Sequence, residues 1–151
     1  MKQLKKLLFL LTFSLALTTT TMAQISFLDA QKEGTSTDYK VTGYTNNATP
    51  WVIDRYDVQP GESGTVLIRY NAADQNGLSA NRWKIVRFSR TPQGVLTVKN
   101  VQSLYTNNDT GMSGIDYTVT ASGGQILITV TGSSSVLMHS LRVEILSGVL
   151  Q

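Results

Sequence analysis

Side chains able to do chemistry are few in this chain, and histidine is the scarcest: His139 stands alone. A Ser-His-Asp arrangement needs an imidazole beside a serine and a carboxylate. Serines are plentiful, but His139 lies mid-strand among Leu137, Leu141 and Val143, on an apolar face. That position favours a packed, hydrogen-bonded core imidazole over a general base. A zinc centre needs three or four nitrogen or sulfur ligands, and one His with no Cys does not supply them. Calcium needs only oxygens, and Asp74-x-Asn76-Gly77 and Asn107-Asn108-Asp109 are oxygen-rich loops. Neither is followed by a bidentate Glu at EF-hand spacing, and Asn, Asp and Gly are also what turns require. The expectation is no metal and no cofactor.

Glycoside hydrolysis needs two carboxylates facing each other across a cleft, about 5 to 10 Å apart. Asp54 and Asp57 fall on opposite faces of a regular strand, Glu62 in a turn and Glu144 on a sheet face. Solvated surface is the default for all four. The sequence holds no G-x-S-x-G, no phosphate-cradling Gly-rich loop before a helix and no H-E-x-x-H. The chain is therefore read as non-enzymatic, with a small secreted hydrolase using His139 or an acidic pair as the rival. Aromatic rings offer another chemistry, since exposed rings stack on the C–H faces of sugars. Trp51, Tyr44, Tyr56 and Tyr105 lie near strand ends or loops and are the candidate ligand-binding residues. Most aromatics in a domain of this size are core, and Trp83 is assigned there.

The elements that must position these groups are strands. Val66, Ile68, Tyr70 and Ala72 alternate with Leu67, Arg69 and Asn71, the period-two pattern of a strand with one buried face. Ile126, Ile128 and Val130 do the same, as do Leu137, His139, Leu141, Val143 and Ile145 after a Gly132-Ser133-Ser134-Ser135 loop. Those last two strands are expected to form a hairpin covered by another sheet. Further strands are predicted around Tyr39–Gly43, Trp51–Val58, Arg82–Arg90, Val95–Tyr105 with a break near Lys99-Asn100, and Ile115–Ala121. Arg82–Arg90 is apolar on both faces, which suits a central or bulged strand. About eight strands with turn signals every ten or so residues predict an all-β, antiparallel β-sandwich of jelly-roll type. Residues 24–36 are a lead-in, in which Leu28–Gly34 forms either one helical turn or a loose segment; residues 37–151 are the domain.

Ahead of this domain the chain carries the pattern of a cleaved export signal over residues 1–23. Lys2, Lys5 and Lys6 precede an apolar run, Leu7–Leu17, and Thr21-Met22-Ala23 offers a small-x-small cleavage site. The run is too short for a membrane span, and no Cys follows it for lipid anchoring. The expected location is extracellular or periplasmic. Three of the thirteen basic residues lie in the signal, so ten remain against ten acidic ones. The apparent pI of 9.3 thus gives no argument for nucleic acid or anionic membranes. With no Cys there is no disulfide scaffold, and stability must come from packing.

Three pieces carry a resemblance: Gln59-Pro60-Gly61-Glu62-Ser63-Gly64-Thr65-Val66-Leu67-Ile68, Trp83-Lys84-Ile85-Val86-Arg87-Phe88-Ser89-Arg90, and Ile126-Leu127-Ile128-Thr129-Val130-Thr131-Gly132 with Leu141–Ile145. Over residues 50–146 the chain resembles the C-terminal β domains of phage tail-fibre and related virion appendage proteins. The Val-Thr-Gly piece followed by a closing strand is the most distinctive. Two departures stand out: the aromatic before the closing strand, usually Trp, falls at His139, and phage proteins normally lack a signal peptide. The resemblance implies a non-enzymatic, jelly-roll-like module, often trimeric, at a surface where recognition happens. It transfers no binding residues. The function expected first is an exported, non-catalytic module for surface recognition or assembly, as a homo-oligomer. A monomeric carbohydrate-binding domain that takes a cell-surface glycan is the rival among binding modules.

Overall fold

The computed structural model describes residues 31–34 and 37–149. The expected signal 1–23 lies outside them. Nine strands follow one another: β1 (Gln31–Gly34), β2 (Asp38–Thr45), β3 (Trp51–Asp57), β4 (Glu62–Asp74), β5 (Ser79–Arg90), β6 (Leu96–Asn108), β7 (Tyr117–Ser122), β8 (Gln125–Val130) and β9 (Leu137–Val149). They form two antiparallel sheets of unequal size, β1-β2-β9-β4-β5-β6 and β3-β8-β7. Within the expected lead-in, Gln31–Gly34 is an edge strand paired with β2, not a helical turn. Among the described residues no helix is long and apolar enough to cross a membrane.

Alternation decides which face of each strand is buried. Val66, Ile68, Tyr70 and Ala72 of β4, and Leu137, His139, Leu141, Val143 and Ile145 of β9, all point to the inner face. There they meet Ile126, Ile128 and Val130 of β8 and Tyr117 and Val119 of β7, in one core. Burial at about 25 cal/mol per Å² of apolar surface is what holds two such sheets together.

The expected β8–β9 hairpin does not form. β8 is the centre of the small sheet, while β9 lies between β2 and β4 in the large one. Both strands present an apolar face, and burying those faces on each other across the sandwich removes more apolar surface than pairing them edge to edge. The Gly132–Val136 segment is therefore a crossing between layers. Buried Gly132 permits it, because a Cβ there would run into the Asn47 carbonyl.

Turn chemistry sets the register of β4 on β5. Asp74 accepts hydrogen bonds from the amides of Asn76 (2.9 Å) and Leu78 (2.8 Å), and Gly77 takes a φ of 82°, open to glycine at no steric cost. This closes a hairpin that pairs Ala73 with Ser79, Asn71 with Asn81 and Arg69 with Trp83. β6 then adds to β5 with two register shifts, one of them opposite Ile85 and Arg87, at the break expected near Lys99-Asn100.

Candidate functional site

Counting along these registers builds a surface on the outer face of the large sheet. Lys40 on β2 pairs with Arg142 on β9, Arg142 with Arg69 on β4, Arg69 with Trp83 on β5, and Trp83 with Tyr105 on β6. One rung across five strands thus reads three cations, then two aromatics. The next rung on one side is Thr42, Ser140, Asn71, Asn81 and Asn107, all neutral hydrogen-bonding groups. The rung on the other side begins with Asp38 and Glu144. A groove of about 390 Å³ runs along the cation–aromatic rung from Lys40 to Trp83, bordered by Ser140, Asn71 and Asn81 of the amide rung and, at its β2 end, by Asp38.

Its side chains are held, not loose. Trp83 and Tyr105 are tilted against each other with ring centres 5.1 Å apart, yet remain 42% and 43% exposed. The Arg69 guanidinium sits 5.6 Å from the Trp83 ring centre, within cation–π range, and Arg69 Nη1 contacts Glu144 at 2.8 Å. Arg142 donates Nε and Nη2 to the two Asp38 oxygens at 3.2 and 2.9 Å, and that hydrogen bond raises its pKa. Asn71 donates to Asn81 at 2.8 Å. An apolar ring platform, fixed amides and oriented guanidinium groups in one concavity suit a ligand with apolar faces and a dense set of hydroxyls.

Of the residues expected to bind, Tyr105 packs against Trp83 just beyond the end of this groove. Tyr44 is exposed on the same sheet face, in the rung of Met138 and Ala73, beyond the amides. The other two lie elsewhere, partly buried between the sheets. Trp51 is half-buried against the core, its ring so close over Gly43 that a Cβ there would lie 2.6 Å away. Tyr56 also packs inward, its edge on Phe88 and its hydroxyl donating to Glu62. Both alternate with exposed neighbours in an apparently peripheral strand, but β3 is roofed by the large sheet. Trp83, expected in the core, is on the outer face beside the edge strand β6, while its neighbour Arg82 takes the buried position.

The carboxylates expected on the surface are partly engaged inside. Glu62 is buried and accepts from the Tyr56 hydroxyl and, at 2.6 Å, the Gln59 amide. Burial would raise its pKa, but those hydrogen bonds outweigh burial and hold it below the ordinary value. Asp54 accepts from Tyr39 at 2.7 Å, placing a carboxylate against the inner face. The two oxygen-rich loops spend Asp74 on its own turn and Asp109 on the amide and hydroxyl of Ser79. His139 is wholly buried, as expected, with Nε2 2.7 Å from Thr45 Oγ1 and Nδ1 2.8 Å from the Tyr70 hydroxyl. Desolvation pushes its pKa down to about 4.

No protein-family model and no curated protein matches this chain. Among solved structures, it bears a weak resemblance to two phage tailspike proteins. The tailspike of Acinetobacter phage vB_ApiP_P1 is 12% identical, with a TM-score of 0.40, over 86% of this chain and 25% of that one. The tailspike protein gp49 of Acinetobacter baumannii bacteriophage Fri1, a capsular polysaccharide depolymerase, is 13% identical, with a TM-score of 0.28, over 81% of this chain and 21% of that one. The chain therefore spans about a quarter or less of the tailspikes it matches.

Proposed function

We propose that this chain is an exported, non-catalytic recognition module that binds carbohydrate on the outer face of its six-stranded sheet. One observation carries the reading: exposed Trp83, extended by the Tyr105 ring packed on it, lines one groove with the fixed Asn71 and Asn81 amides. Pairing across β5 and β6 holds the two rings but leaves their outer faces in water, and exposed aromatics with convergent polar groups are what a sugar site needs. Export is supported by the basic, apolar and small-residue order of residues 1–23. Binding without catalysis is supported by the engagement of His139 in buried hydrogen bonds and of Glu62 and Asp54 in partly buried ones. A printed glycan array tests the reading. Wild type is expected to bind a group of glycans that Trp83→Ala loses, with Trp51→Phe binding as wild type does. An array on which wild type and Trp83→Ala give the same pattern would contradict it.

Exposed Val101 and Leu104 on edge strand β6 favour a second reading, self-association along that edge. Light scattering is expected to give a multiple of the chain mass, reduced to the monomer by Val101→Lys with Leu104→Lys.

A further inference from the structure

The two rungs that bound the groove differ in charge, and that difference narrows the ligand. On the cation–aromatic rung Arg142 and Arg69 are direct neighbours in the middle of the sheet, with no acidic residue on their rung between β2 and β6. Their carboxylate partners, Asp38 and Glu144, both lie on the rung away from the groove's amides. The groove is lined by Asp38 as well, whose two oxygens are held by Arg142, and on the amide side the next rung offers the guanidinium groups only the neutral Ser140, Asn71 and Asn81. Glu33 pairs in register with Lys40 at the sheet edge, so the argument rests on the two arginines. A guanidinium has five N–H donors and no acceptor. Arg142 directs Nε and Nη2 to Asp38, with Glu144 also 3.5 Å from Nε, and Arg69 directs Nη1 to Glu144. The remaining N–H groups can take an incoming carboxylate in the paired geometry that guanidinium favours.

Length narrows it further. Five strands at the usual spacing put Lys40 about 19 Å from Tyr105 along the rung, longer than one sugar ring. The platform lies at one end of this track and the guanidinium pair towards its middle. From this we infer, resting on the carbohydrate reading above, that the groove takes an extended, carboxylate-bearing oligosaccharide across the strands. One sugar face lies on Trp83 and Tyr105, and a uronate carboxylate lies between Arg142, Arg69 and the Ser140 hydroxyl.

The test uses the domain with tetragalacturonate, its fully methyl-esterified form, monomeric galacturonate and oligothymidylate, followed by calorimetry at low and high salt. The acid tetramer is expected to bind about tenfold tighter than the ester, as charge-assisted bonds to guanidinium require. Its affinity is expected to fall with salt while that of the ester holds. The monomer should bind at least tenfold more weakly than the tetramer. Arg142→Gln should lose the preference for acid and keep ester binding; its melting curve confirms that it folds. Equal binding of acid and ester would overturn this inference and leave the carbohydrate reading standing, as would a glycan array whose hits are all neutral. Oligothymidylate binding as tightly as the acid tetramer would overturn it too, since the face would then read anionic polymers in general. Failure of every sugar, here and on the array, would overturn both.

Discussion

On its inner face the large sheet carries Tyr39, Tyr70, Arg82, Lys84 and His139, and each of these polar groups has a partner: Asp54 for Tyr39, His139 for Tyr70, the Ile115 carbonyl for Arg82, Asp116 for Lys84, Thr45 for His139. On its outer face, built from the same strands, Trp83 and Tyr105 stand more than two-fifths exposed. The inner face therefore holds polar groups at positions where apolar ones are the norm, and the outer face holds rings where polar groups are the norm. Inside, the polar groups are bought by full hydrogen bonding, and among the described residues no buried side-chain nitrogen or oxygen lacks a partner. Outside, the rings pack on each other and under Arg69 yet keep more than two-fifths of their surface in water. A departure from the hydropathy pattern that is internally satisfied is a structural device; one left open to water points to a ligand.

This contrast is checked first by stability. Val143 and Ile128 are buried on the facing surfaces of the two sheets. Val143→Asp or Ile128→Asp places an unpaired charge there, at a cost of roughly 3 kcal/mol or more, and loss of the cooperative urea transition is expected. If these variants melt like wild type, the two sheets do not face each other as described.

The next effect belongs to His139. Its folded pKa of about 4 lies below the ordinary 6.5, so the unfolded chain binds the proton more readily. Stability from the neutral imidazole is complete above pH 6.5 and is lost as pH falls from there to about 4. The loss integrates to about 3 kcal/mol. In His139→Phe that slope should vanish from urea midpoints measured across this window, although the unpaired Thr45 and Tyr70 hydroxyls lower stability at pH 7 by about 1 to 3 kcal/mol. An unchanged slope would assign the acid response to other groups.

The smallest effect is expected on the outer face. Trp83→Ala should cost about 1 kcal/mol or less in urea unfolding, the range of surface substitutions. A loss as large as that of a core aromatic would mean that Trp83 is structural after all.

Trp83 also shows where the sequence was legible and where it was not. Alternation in β4 and β9 names the buried sets correctly, because each strand is unbroken in its apolar run on one face and mixed on the other, and it places Arg69 and Asn71 outside. It fails on β5, which offers Trp83 and Ile85 on one face and Val86 and Phe88 on the other. Hydropathy favours putting Trp inside, but tertiary register decides. The signal that resolves it lies outside the strand: counting back from the Asp74–Gly77 turn pairs Arg69 with Trp83 and Asn71 with Asn81, so the outward parity of β4 fixes that of β5. No such count reaches β9, whose insertion between β2 and β4 is long-range. The joining of Arg142 to Arg69, and with it the cationic half of the groove, is therefore invisible in the chain. The partial burial of Trp51 and Tyr56 is equally invisible there, since only the sandwich roofs β3.

The chain has two tryptophans, and they fall on opposite sides of this contrast. The most direct test is a heteronuclear NMR titration of the two indole N–H signals with tetragalacturonate, assigned through Trp83→Phe. The account predicts that the Trp83 signal moves and saturates while the Trp51 signal stays in place. Movement of Trp51 with Trp83 unmoved would contradict it and return the candidate site to the inner layer.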